Sequence, residues 1–159
     1  MLFLGRGMKN KKFQLLPIKH DINSIFFKIE TAVELISNES LPENEKREVV
    51  SILKNNLNLL KLVLSNLFLM ERLKDLKKER IYLKDFFKEN VSVKYVYGYP
   101  TVVSQAIQNL KELKIDYSLY EKEDKIFIKI KGNLQDRFSK YILDITKFLF
   151  EINNIYLEE

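Results

Sequence analysis

The chain has 159 residues, 46% hydrophobic and 31% charged, with a net charge of +5; this is a soluble globular composition, long enough for one large domain or two small ones. It has no cysteine, which excludes disulfides, thiolate metal sites and thiol nucleophiles and suits a cytoplasmic setting. Met1-Leu2-Phe3-Leu4 is too short for a signal or spanning segment, and residues 57–70, the most apolar stretch, are interrupted by Asn58, Lys61, Ser65 and Asn66, so no membrane association is expected.

Much of the excess positive charge lies in Arg6, Lys9, Lys11 and Lys12, within residues 1–12, which read as a disordered basic tail. The other lysines alternate with Glu and Asp as on a solvated surface. With no binding motif beside the charge, nucleic acid is not an expected partner.

From Leu15 onward, Leu15, Ile18, Ile22, Ile25, Ile29, Ala32 and Ile36 recur at alternating spacings of three and four, the seam of a bundled helix. Pro17 fits its first turn, and the helix is expected to end near Asn38. Ser40-Leu41-Pro42-Glu43 then reads as a capping box. It opens a second helix with the seam Val50, Leu53, Leu57, Leu60, Leu64 and Leu67, fading near Lys78. Residues 13–78 thus predict an antiparallel helical hairpin. Val49, Ile52, Leu59, Val63 and Met70 widen the apolar face of helix two beyond what one partner helix covers. The hairpin is therefore expected to dimerise into a four-helix bundle.

Residues 79–159 change pattern and predict a small α/β domain, giving an α+β chain overall. Arg80–Leu83 reads as a strand and Phe86-Phe87 as part of a short helix; Val91, Val93, Tyr95 and Tyr97 alternate as a strand ending at Gly98. Val102, Val103, Ala106, Ile107, Leu110 and Leu113 mark an amphipathic helix. Residues 117–121 and 125–131 flank Lys122-Glu123-Asp124 as a hairpin, with Ile126, Ile128 and Ile130 on one face. A last helix starts near Leu134 and carries Phe138, Tyr141, Ile142, Ile145 and Leu149, and residues 155–157 add a closing strand.

The single histidine lies in His20-Asp21-Ile22-Asn23-Ser24. A lone helical histidine is most often a surface residue without a role, but this one points away from the Ile18/Ile22/Ile25 seam. Asn23 and Ser24 follow on the same face and Phe27 lies one turn further, where an exposed aromatic suits a docking patch. A neutral imidazole is both a nucleophile toward phosphorus and a leaving group. Asp21 is placed to orient the ring and support its cationic form, and Ser24 to orient a water or the phosphoryl oxygens. Little other machinery is required, because phosphoryl transfer rests on positioning and charge.

A helix carrying His20-Asp21, then Asn23 and Ser24, followed by a hairpin partner and an α/β domain, resembles the dimerisation and phosphotransfer core of sensor histidine kinases. Gly98-Tyr99-Pro100-Thr101, Gln105 and Asn109-Leu110 look like the segment opening the kinase ATP-binding fold. Where that family has a second, magnesium-holding asparagine one turn on, this chain has Leu113. Gly132-Asn133-Leu134 is similar in placement to the family's adenine-reading motif but lacks its aspartate and glycines. The chain has only four glycines, Gly5, Gly7, Gly98 and Gly132, and no glycine-rich phosphate loop. The expected second domain is therefore a degenerate ATPase-like one, with no ATP, cofactor or metal.

A kinase-like dimer that keeps its histidine without an ATP site is similar to phosphorelay phosphotransferases. The resemblance implies that His20, with Asp21 and Ser24, carries phosphate between response-regulator receiver domains docked at Asn23 and Phe27. One departure is Ile25, where many kinases have proline. Three other readings stay open: an inert kinase-like docking module, a receiver phosphatase, and a fold of unrelated function.

Overall fold

The structure, a computed structural model, describes residues 18–132, 134 and 136–158. The basic tail expected over residues 1–12, together with Leu15 and Pro17, lies outside them. The chain is a mixed α+β fold: among the described residues four helices, five strands and two short 3-10 turns.

Helices α1 (Lys19–Ile36) and α2 (Glu43–Arg72) form the antiparallel hairpin. Ile18, Ile25 and Ala32 of the predicted seam are buried, with Ile22, Ile29 and Ile36 half-buried beside them. The connection departs from the capping-box expectation. Pro42, in extended conformation, precedes the first turn of α2 and no side chain caps it. The Ser40 hydroxyl instead donates to Asn38 Oδ1 at 2.7 Å. Asn38 accepts the Ser40 backbone N–H as well, so a local turn centred on Asn38 competes successfully with the cap.

Helix α2 has 30 residues against 18 in α1 and overhangs its partner by about 18 Å. The overhang packs on the α/β part through Leu62, Val63, Asn66, Leu69 and Met70, all buried. Of the expected seam, Leu57 and Leu64 are exposed in the protomer, and Val50, Leu53, Leu60 and Leu67 are half-buried. The helix also ends earlier than expected. After Arg72 comes one 3-10 turn, Leu73–Asp75, and then Leu76 turns to extended backbone, leading the chain into the first strand.

Strands β1 (Glu79–Tyr82) and β2 (Tyr95–Gly98) pair antiparallel with Arg80 opposite Tyr97 and Tyr82 opposite Tyr95. Between them, the short helix expected at Phe86-Phe87 is a single 3-10 turn, Leu83–Asp85, that buries Phe87. Val91 and Val93 also fall outside the ribbon. Glu121 takes this segment, accepting from the Val93 N–H at 3.2 Å and from the Ser92 hydroxyl, while Glu89 accepts from the Leu119 N–H at 2.9 Å. The 89–93 segment is thus tied to the neighbouring sheet rather than to β1.

Helix α3 (Pro100–Glu112) starts with proline, whose missing N–H costs nothing there. Strands β3 (Asp116–Lys122) and β4 (Lys125–Lys131) form the predicted hairpin. Glu123 and Asp124 take the positive φ values of the turn. Helix α4 (Arg137–Glu151) begins a few residues later than Leu134, where Asp136 accepts the Ser139 N–H at 2.8 Å as a true N-cap. It returns the chain so that β5 (Ile155–Glu158) lies parallel to β4.

One core runs from the hairpin into the sheet, joining Ile25 and Leu62 to Val102, Ile128, Ile142 and Leu149. Each such side chain contributes roughly 1.5–3 kcal/mol by burial. Gly98 marks a close approach within it, because a Cβ there would collide with Asn153 Oδ1. Asn153 uses that oxygen to accept the Tyr99 N–H, fixing the entry to α3.

Candidate functional site

His20 sits in the first turn of α1 with 87% of its side chain exposed. The apolar stripe of α1 faces the core, and at about 100° per residue His20 lies well round from Ile18 and Ile25. Asn23 is exposed and Ser24 half-buried on the same side, and Phe27, 69% exposed, continues the face. Four of the five residues singled out in the sequence thus share one strip of the helix, whereas Asp21, 26% exposed, lies about 100° round from His20 toward the apolar stripe.

Asp21 adds a connection that the sequence did not suggest. Its Oδ1 stands 4.0 Å from His20 Nδ1, too far for a hydrogen bond. The carboxylate is held instead by Arg137, whose Nε donates to Oδ2 at 3.2 Å and whose Nη2 donates to Oδ1 at 3.4 Å. Arg137 is the first residue of α4 and lies 116 positions away in sequence. Among the described residues, and apart from His20–Asp21 itself, Arg137–Asp21 is the only pair of a basic and an acidic side chain within 4.0 Å. No sequence pattern joins the two positions. The one available signal was a cation in the first turn of a helix, where the macrodipole disfavours it without a nearby anion.

Beyond His20 a shallow apolar groove follows the α1–α2 seam, lined by Phe27, Thr31 and Leu35 on α1 and by Val49 and Ile52 on α2. Phe26 and Val33 turn toward the other edge of the seam and are also exposed. On α2, Leu57, Leu64 and Phe68 form a second exposed row at helical spacing. Single exposed apolar residues are ordinary, but rows of them along two neighbouring helices mark contact surfaces.

In the segment likened to a kinase ATP-binding fold, Asn109 is fully buried. Its Nδ2 donates to Asn66 Oδ1 at 2.7 Å and to Thr146 Oγ1 at 3.0 Å, and its Oδ1 accepts from Asn66 and Gln105. Leu113 ends α3 as its C-cap. Gly132, at φ 117°, leaves β4 and is followed within a few residues by Arg137. No group of histidine, cysteine and acidic side chains among the described residues could hold a metal ion. No described helix is long and apolar enough to cross a membrane.

No family model, curated protein or solved structure matches the chain.

Proposed function

We propose that the chain is a dimeric, cytoplasmic histidine phosphotransferase that passes a phosphoryl group between receiver-domain aspartates through His20. The observation that carries the reading is the placement of the chain's sole histidine. It is an exposed imidazole in a first helical turn, with Nδ1 facing a carboxylate fixed by a guanidinium.

With the ring proton on Nδ1 toward Asp21, Nε2 holds the free lone pair. That pair attacks phosphorus in the receiver's aspartyl phosphate. The P–O bond breaks, its electrons return to the aspartate carboxylate, and a P–Nε2 bond forms. The ring becomes cationic, and Asp21 supports it electrostatically. Attack by the aspartate of a second receiver reverses the step, returning the lone pair to Nε2. Ser24, on the same strip, is placed to direct the phosphoryl oxygens.

Asn23, Phe27 and the groove up to Ile52 give the receiver an apolar foothold beside the nucleophile. The rows at Phe26 and Val33 and at Leu57, Leu64 and Phe68 then form the dimer face of a four-helix bundle. Residues 79–159 fit a degenerate ATPase-like domain: the carboxamide of Asn109 is spent on packing, and phosphate therefore arrives from a protein, not from ATP.

The test is to incubate the full chain with phosphorylated receiver domains of its host and follow the label. Acid-labile, base-stable label on the chain supports the relay. Loss of receiver phosphate as free phosphate, with no label on the chain, points to a phosphatase. Binding without either change points to an inert docking module.

A further inference from the structure

Arg137 belongs to no motif of the sequence, yet it ends on Asp21, the carboxylate beside the proposed nucleophile. We infer that Arg137 is the cationic arm of the proposed phosphoryl site: it holds Asp21 toward His20 in the resting protein and takes the phosphoryl oxygens while the group moves to or from Nε2. The inference rests on the phosphotransfer reading and adds to it a residue from the second part of the chain.

Three observations support it. First, Asp21 Oδ1 is shared, accepting from Arg137 Nη2 at 3.4 Å while lying 4.0 Å from His20 Nδ1. Guanidinium and imidazole therefore flank one oxygen atom. Second, the fork to Asp21 uses Nε and one Nη2 hydrogen, and the side chain is 63% exposed. The remaining N–H donors of its planar fork are open to a ligand, and a guanidinium matches phosphoryl oxygens in shape and charge. Third, Arg137 opens α4, where the macrodipole already concentrates positive potential. A cation is disfavoured there unless anions offset it, and a phosphoryl group does so more strongly than Asp21 alone.

The electrostatics of the reaction call for such a group. A phosphoryl group brings about −1.5 to −2 charges to an imidazole whose neighbour is the Asp21 carboxylate. Without a cation the two anions repel; Arg137, already paired with the carboxylate, offsets both, its remaining N–H donors supporting the phosphoryl oxygens. No atom is added to the transfer: the P–O and P–N bonds exchange as before, and Arg137 donates hydrogen bonds only.

The experiment measures single-turnover transfer from the host's phosphorylated receiver domains to the full chain and its variants Arg137→Ala, Arg137→Gln and Arg137→Lys, across receiver concentration. The expected result is a maximum rate lowered about 100- to 1000-fold in Arg137→Ala and Arg137→Gln. The receiver concentration at half-maximum should change little, and Arg137→Lys should recover about tenfold or more. Transfer at the wild-type rate in Arg137→Ala overturns the inference while leaving the relay intact. Equal losses in all three variants also overturn it, because the charge is then not what matters. If the wild-type chain takes no label from any receiver, the relay itself fails and the inference with it.

Discussion

Asn66 and Asn109, 43 residues apart and both fully buried, exchange a reciprocal pair of hydrogen bonds at 2.8 and 2.7 Å. The pair joins α2 to α3, and the bond from Asn109 to Thr146 extends it to α4. Asn66 also donates to the Leu62 carbonyl at 2.8 Å and the Thr146 hydroxyl to that of Ile142 at 2.7 Å. The hairpin and the α/β part therefore meet through a satisfied polar junction inside an apolar core. Such a junction fixes one packing, since any shift leaves buried amides unpaired.

Asn109→Leu is expected to destabilise the fold by roughly 2–4 kcal/mol, by leaving the buried Asn66 Oδ1 and one of its Nδ2 hydrogens unpaired. The double variant Asn66→Leu/Asn109→Leu is expected to cost less than the sum of the single ones, because neither amide is then left alone. Urea unfolding of the four proteins measures the coupling. Strict additivity would show that the pair is not a unit.

The dimer rests on the exposed rows of α1 and α2. Leu64→Asp and Phe68→Asp are expected to give folded monomers, because Leu64 and Phe68 are 40% and 62% exposed in the protomer. In a bundle interface the new carboxylate is buried and unpaired, costing several kcal/mol, and each 1.4 kcal/mol is about tenfold in dissociation. Light scattering at micromolar concentration, with circular dichroism as the folding control, checks this. A wild-type monomer under the same conditions would contradict the bundle.

ATP with magnesium is expected to leave the melting temperature unchanged. Micromolar binding at millimolar ligand would add roughly 4 kcal/mol of stability. The grounds are the consumed Asn109 carboxamide, Leu113 in the following turn and the short passage from Gly132 to Arg137. A thermal shift of that size would require the second domain to be read as a working nucleotide site.

The tyrosines should divide in an alkaline titration. Arg80 Nε donates to the Tyr97 hydroxyl at 3.2 Å and holds it below its ordinary value of 10.0. Burial raises Tyr117, with Glu89 adding to the effect, and burial raises Tyr141. The stability that a raised tyrosine contributes is complete below its unfolded value and is lost as pH climbs through the folded one. Tyr97 acts oppositely, favouring the folded state as it ionises. Difference absorbance should therefore lose its earliest component in Tyr97→Phe. The melting temperature should fall above about pH 10 as Tyr117 and Tyr141 titrate. A single transition at pH 10 unchanged in Tyr97→Phe would refute the assignment.

Much of this architecture was legible in the residues. Ile18, Ile25 and Ala32 mark a buried stripe, and Ile126 and Ile128 mark the inner face of β4, because helix and strand periods write themselves into apolar spacing. What failed to show was tertiary competition. The α2 seam looks buried in sequence, but its C-terminal half turns Leu62, Val63 and Leu69 to the second part of the chain. Ser40 looks like a cap, but Asn38 engages its hydroxyl. At the candidate site, the strip from His20 to Phe27 is local and follows from helical geometry. Arg137 and the Val49–Ile52 side of the groove depend on which elements meet, and no local pattern carries that. The neighbours of Asn109 in sequence suggest a nucleotide-fold motif, whereas its side-chain partners are Gln105 on its own helix and Asn66 and Thr146 on two others.

The most direct measurement is peptide mapping of phosphohistidine after the chain has met its host's phosphorylated receivers, carried out at alkaline pH where the phosphoramidate survives. The modification is expected at His20. His20→Gln should carry none, since glutamine offers hydrogen bonds but no nucleophilic nitrogen. Asp21→Asn should be labelled about 10- to 1000-fold more slowly. Undiminished label in His20→Gln, or a wild-type chain that accepts phosphate from no receiver, would contradict the relay.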